Sequence, residues 1–348
     1  MKHARAAQEI ELKLALKLAE DVPPSIGNRS KAGRGYALAR GEAKSPVKAR
    51  PAVLDRGMSV NEAFKSVMWA TLAHLHANEP GMLAGRDPEY LHQMRVALRR
   101  IRSAFGVFAA LFPRPAISPA RNELKWLAAN LGPARDWDVF VTETLPPIEA
   151  EFGARGGLKN FIARCEVLRR AATARSRRAV RSVRYRHLIL RLAAWLSAES
   201  WLKQSDPAKR AALEEPIAGF ASAVIERRYD RVRNKGRKLG ALSPAALHRL
   251  RIAIKKFRYA TDFFAGLYEE KSPRDALKRL ARLQDILGAM NDAATAANLL
   301  AHGFDGAAGR RVLEAKGILR GWSSGRAATL KRELRSAWNG FRSAEKFW

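Results

Sequence analysis

An all-α protein, built as two four-helix bundles related by an internal duplication, is the fold class this sequence predicts. Three observations predict it. Hydrophobic residues make up 47% of the 348 residues and recur at helical spacings, with few alternating runs of Val, Ile and Thr that would mark strands. A block of sequence recurs at a constant offset of 156 residues, as from His92 to His248, with no gap. Within each copy, Pro and Gly punctuate four helical stretches whose short connections favour antiparallel neighbours.

The repeat is densest where the charges are. Leu91, His92, Arg95, Ala97, Arg102, Ala104, Phe108, Ala109 and Leu111 return as Leu247, His248, Arg251, Ala253, Arg258, Ala260, Phe264, Ala265 and Leu267, nine identities in the 22 positions from 91 to 112. The same offset carries Phe64 onto Phe220, Asn78 onto Asn234, Leu131 and Gly132 onto Leu287 and Gly288, and Asp136 onto Asp292. Such a register points to a duplicated unit, its copies related by a pseudo-twofold axis.

The breakers set the elements in order. Residues 1–20 form a separate N-terminal segment, and 21–57, rich in Gly, Pro, Ser and Lys, read as a linker. The duplicated domain spans 58–348, with copy one at about 58–206 and copy two at about 207–348. In copy one, helices are expected over 60–78, 88–112, 118–145 and 158–203, separated at Pro80 and Gly81, Pro113 and Pro115, Pro146 and Pro147, and Gly156 and Gly157. In copy two they are expected over 209–235, 243–268, 273–302 and 307–341, with Pro244 and Pro273 each behind a serine at a helix start.

Lys and Arg number 64 against 33 Asp and Glu, a formal charge of +31. Such an excess repels itself unless a polyanion is near, and nucleic acid, an acidic membrane surface and a chain of phosphates all meet that need. Cys165 is the only cysteine, which excludes an intrachain disulfide framework and a thiolate metal cluster and suits a cytoplasmic protein. Glu11, Lys13 and Lys17 interrupt the N-terminal apolar stretch, so it reads as neither a signal-peptide core nor a span, and no membrane insertion is expected.

Geometry sharpens the partner. On a helix, His92, Arg95, Arg99 and Arg102 fall within an arc of roughly 80° and make a stripe about 15 Å long. Leu91, Met94, Leu98, Ile101, Phe105 and Phe108 take the adjoining arc and should face the core. The second copy repeats this, with His248, Arg251, Lys255 and Arg258 beside Leu247, Leu250, Ile254, Phe257 and Phe264. Arg100 and Lys256 lie further round, towards solvent, and widen the candidate set. Solvated faces mix signs, because like charges four residues apart repel; neither 91–112 nor 247–261 contains an acid. Arginine offers phosphate a planar fork, lysine a point charge, and histidine a donor whose protonation phosphate favours. If the twofold axis brings both stripes to one groove, they form a basic channel for a flexible chain of phosphates.

"LHQMRVALRRIR" and "LHRLRIAIKKFR", each followed about forty residues later by Leu-Gly and then Arg-Asp or Asn-Asp (Leu131, Gly132, Arg135, Asp136; Leu287, Gly288, Asn291, Asp292), resemble the CHAD domain, the conserved histidine α-helical domain. The resemblance covers roughly 58–348. It implies two four-helix bundles about a pseudo-twofold axis, binding of inorganic polyphosphate by basic residues of a central groove, and association with polyphosphate granules. Carried onto this chain, the binding residues are His92, Arg95, Arg99, Arg102, His248, Arg251, Lys255 and Arg258. Asp136 and Asp292 either orient stripe arginines or close a helix end near Gly132 and Gly288, and Gly132 with Pro133 suggests a kink.

Residues 9–13, "EIELK", resemble the ExExK signature of the CYTH fold, whose members are fused ahead of CHAD domains. In that family the acids hold divalent metal and the lysine contacts phosphate. Too few residues follow for a closed barrel, so the segment reads as a remnant, and an amphipathic helix over 8–20 explains the same letters. No catalysis, metal or cofactor is assigned, and the protein is expected not to be an enzyme. Two other readings stay in view: a nucleic-acid-binding basic helical protein, and a degenerate tripolyphosphatase using Glu9, Glu11 and Lys13. The span 169–191, with nine arginines and no acid, widens the basic surface under either binding reading.

Overall fold

The structure, a computed structural model, describes residues 31–40, 45–85, 87–153, 157–269, 271–303 and 309–348. Glu9, Glu11, Lys13 and the N-terminal segment that holds them lie outside the described residues. Among those described there is no strand, only one isolated bridge between Ser59 and Pro216. The all-α class holds.

The helices are α1 (Lys31–Ala39), α2 (Val60–Ala77), α3 (Glu79–Ala84), α4 (Pro88–Val107), α5 (Arg114–Val139), α6 (Leu145–Phe152), α7 (Leu158–Arg181), α8 (Val183–Ser197), α9 (Pro207–Glu214), α10 (Ile217–Gly236), α11 (Pro244–Phe264), α12 (Lys271–Gly303) and α13 (Arg310–Arg342). Local chemistry starts them. Ser59 and Glu62 close a reciprocal capping box on α2. Asp87 caps α4 by accepting from Glu89 N at 2.8 Å, and Ser243 caps α11 by accepting from Ala246 N at 3.3 Å, each with proline next in the first turn. Both run into a 3-10 turn, Ala109–Leu111 and Ala265–Leu267, so the 156-residue register governs helix boundaries as well as letters.

Two expected helices are interrupted for identifiable reasons. The span 158–203 divides at Ser182, whose extended backbone and side chain, accepting from Tyr185 N at 3.2 Å, make it the cap of α8. The span 118–145 begins earlier, passes through Gly132 and Pro133 within α5, and continues as a π-helix over Phe140–Thr144 into α6. Pro146 and Pro147 break nothing, because the first turn of a helix has no use for their missing N–H groups.

The chain forms two compact units, neither of them one stretch of sequence. The first holds residues up to Gly132 and Ala174–Ile217; the second holds Pro133–Thr173 and Ala218–Trp348. In the first, Phe64 on α2 is the hub of the core, its ring centroid 5.1 Å from Phe108, 4.7 Å from Phe112 and 5.3 Å from Trp201. In the second, Phe257 on α11 meets Tyr229, Phe341 and Trp348 at 5.9, 6.2 and 5.9 Å. Truncating either hub to alanine should cost about 3–5 kcal/mol.

Residues 45–57, part of the stretch whose composition reads as a linker, lie as an ordered strap along the first unit. Ala52 and Leu54 are buried. Asn78 grips the main chain at Val47 from both sides, Oδ1 accepting from Val47 N and Nδ2 donating to Val47 O, each at 2.9 Å. Ser66 Oγ adds a bond to Val53 O at 2.8 Å. Composition did not show this, nor that the same stretch would form α1; along 45–57, α2 and Asn78 at its end supply the partners the backbone needs.

Candidate functional site

In the first unit the stripe lies on α4. Leu91, Met94, Leu98, Ile101 and Phe105 are buried, which fixes the rotation of the helix and leaves His92, Arg95 and Arg99 half-buried at the edge of the core with Arg102 exposed. Gly132 on α5 makes room for one of them: a Cβ there would stand 3.2 Å from Arg95 Nη1. The Nε of Arg99 is buried and has no acceptor within the protein, a state that costs about 1–3 kcal/mol.

Arg100 departs from expectation. It does not point to solvent; it is 5% exposed, and its Nη2 donates to Arg50 O of the strap at 3.5 Å. The strap covers the flank that helical geometry alone would leave open. Arg100 is thereby corrected from a solvent-facing cation to one that braces the helix.

In the second unit the stripe lies on α11, anchored by Leu250, Ile254, Phe257 and Phe264, all buried, while Leu247 is only half-buried rather than in the core. His248 is exposed, its Nδ1 3.1 Å from Asn291 Oδ1 on α12. Because Oδ1 only accepts, Nδ1 is the donor in this pair. Arg258 Nη1 donates to Gln284 Oε1 at 2.8 Å. Lys256 is exposed as expected, and its carbonyl accepts from Arg228 Nη1 at 2.9 Å.

Asp136 and Asp292 lie inside α5 and α12, so neither closes a helix end. Burial pushes the Asp292 carboxyl above the usual carboxylate range, Glu143 pushes the same way, and Arg251 and Lys255 pull it down. Asp292 therefore belongs with the stripe cations it faces. The Asn-Asp motif was visible in the sequence, but the pairing of its Asn291 with His248 was not. Gln284 carried no such signal, since Ala128 stands 156 residues before it.

The CHAD domain family matches residues 66–301, a span that holds both stripes and the Arg-Asp and Asn-Asp pairs. This chain belongs to the CHAD domain family. The crystal structure of the CHAD domain from the plant Ricinus communis is 32% identical, covers 86% of this CHAD chain and 98% of its own, and superimposes with a TM-score of 0.75. PptA from Streptomyces chartreusis, 19% identical, covers 81% of this chain and 99% of its own with a TM-score of 0.62, a likeness of fold. No functionally curated protein matches. Among the described residues of this CHAD chain, no group of His, Cys, Asp and Glu is arranged to hold a metal ion, and no helix is long and apolar enough to cross a membrane.

Proposed function

We propose that this CHAD protein is a non-enzymatic binding module for inorganic polyphosphate, each unit offering it one acid-free stripe. His92, Arg95, Arg99 and Arg102 serve in the first; His248, Arg251, Lys255, Lys256 and Arg258 serve in the second, with Asp292 and Asn291 orienting them. The observation that carries the reading is the recurrence of one cation pattern on two core-anchored helices 156 residues apart, with the buried Nε of Arg99 left without a protein acceptor. A solvated face has no reason to repeat an arrangement that repels itself. The same proposal places the protein in the cytoplasm, associated with polyphosphate granules, and treats residues 1–20 as a remnant of a fused CYTH domain.

A competition experiment tests it. Labelled long-chain polyphosphate is bound to the full chain at about physiological salt, and duplex DNA, RNA or unlabelled polyphosphate is added at equal phosphate concentration. Polyphosphate should displace the label at far lower concentration than either nucleic acid. Equal displacement would replace the proposal with that of a general nucleic-acid binder, since +31 alone attracts any polyanion.

A further inference from the structure

α2 and α10 stand one register apart in the sequence, yet the same helix face is shut in one and open in the other. In the first unit Thr71, His74, Leu75 and Asn78 are all buried, and Asn78 holds the strap's main chain. The corresponding positions on α10 are Arg227, Asp230, Arg231 and Asn234. With Lys235 they line an open hollow of about 470 Å³, and all five are exposed. None belongs to either stripe. We propose that this face of α10 docks an extended acidic peptide segment of a partner protein.

Spacing, donor set and field select that occupant. Arg227, Arg231 and Lys235 stand at i, i+4 and i+8, a row with steps of about 6 Å. Alternate residues of an extended chain lie about 6.7 Å apart, so acids at every second position meet the row one for one. Asp230 and Asn234, at i+3 and i+7, form a second row that offers a carboxylate acceptor and an amide that both donates and accepts. A peptide main chain presents N–H and C=O to such a pair. Asn78 shows within this chain how an asparagine at this position grips one, with two bonds of 2.9 Å to Val47. A phosphate chain offers acceptors alone and meets Asp230 as a repulsion. The surrounding field is positive: positions 227–235 of the helix carry five cations and one acid.

The test uses the full chain and a fluorescein-labelled octapeptide of alternating Glu and Val, read by fluorescence polarisation, with polyphosphate binding measured in parallel. Wild type should bind the peptide saturably. Arg231→Glu should weaken it by about tenfold or more, and Asn234→Ala, which changes no charge, by a few-fold. Arg99→Gln in the first stripe should leave it unchanged, and a peptide with its Glu residues in one block should bind more weakly than the alternating one. Circular dichroism and thermal melting confirm that each variant is folded, as expected for exposed positions. The proposal is overturned if wild type shows no saturable binding, or if Arg231→Glu and Asn234→Ala both bind as wild type does. It is equally overturned if Asn234→Ala weakens polyphosphate as much as it weakens the peptide, because the face would then belong to the polyanion site. It does not rest on the polyphosphate reading, which the competition with nucleic acid tests separately.

Discussion

The two stripe helices begin and end alike but are braced differently. α4 and α11 each start at a proline behind a capping side chain and each run into a 3-10 turn. α4 is braced by the strap, through Arg100 on Arg50, and the strap is held in turn by His74 of α2 and by Asn78 at its end, both on Val47. α11 is braced by neighbouring helices, through Arg228 on Lys256, Asn291 on His248 and Gln284 on Arg258. The difference teaches that the register decides which cations stand in the row, while the elements packed behind each helix decide which cations are free to act.

Reversing charges in one row at a time strains the comparison hardest. Arg95→Glu with Arg99→Glu, and separately Arg251→Glu with Lys255→Glu, should each lower polyphosphate affinity on the order of a hundredfold and flatten its dependence on salt. Isothermal titration at several salt concentrations gives both quantities. A pair that leaves both unchanged removes its helix from the binding site, however well its sequence matches the other.

The second strain falls on position 100 against position 256. Arg100→Ala should cost about 1–3 kcal/mol in urea unfolding, through lost packing of a buried stem and a strap carbonyl left without its donor. Lys256→Ala, at an exposed site, should stay within about 0.5 kcal/mol and reduce only binding, by a small factor. Equal stability of the two variants would show that the strap does not brace α4.

The sequence made the stripes legible because they rest on helical periodicity, and periodicity survives folding wherever one face is anchored by residues such as Met94, Ile101, Ile254 and Phe257. The boundary at Ser243 with Pro244 was legible for a local reason, a capping side chain ahead of a proline. The fate of Arg100 was not, because it depends on a contact with Arg50, fifty positions away in a segment with no periodic pattern. Nor was the break at Ser182, whose cap competes with an arginine-rich stretch that looks continuous. Gly132 was visible as a repeated letter, but the reason for it, the close approach of Arg95, belongs to tertiary structure alone.

A smaller effect is expected at Asp292. Its folded pKa is raised, so its contribution to stability is present below the ordinary carboxylate pKa and is lost as pH rises through the raised value. Asp292→Asn should remove that loss and, by taking a negative charge from beside Arg251 and Lys255, tighten polyphosphate binding a few-fold near neutral pH. Weaker binding would mean that the carboxylate's hold on those cations matters more than its charge.

The smallest effect separates the two braces by pH. His74 Nε2 lies 2.9 Å from Val47 O and 3.1 Å from Gln93 Oε1, and Gln93 Nε2 is already donating to Glu89 Oε1 at 2.6 Å. Both neighbours of Nε2 are therefore acceptors, so it carries the hydrogen and the buried Nδ1 is left bare, without a partner. Protonation would place a charge there, and burial, aided by Arg100, lowers the His74 pKa against the pull of the bonds to Gln93 and Val47. For a histidine with a depressed folded pKa, stability is present above the unfolded value near 6.5 and is lost as pH falls below it towards the folded one. The unfolding free energy measured in urea should thus drop between about pH 7 and 5.5 by a few tenths of a kcal/mol or more, and His74→Gln, which keeps a donor for Val47 O, should flatten that drop. The second unit has no counterpart, since exposed Asp230 stands in place of His74 on α10. An unchanged pH profile in His74→Gln would show that the His74 bond to Val47 adds nothing to the hold of Asn78 on the same residue.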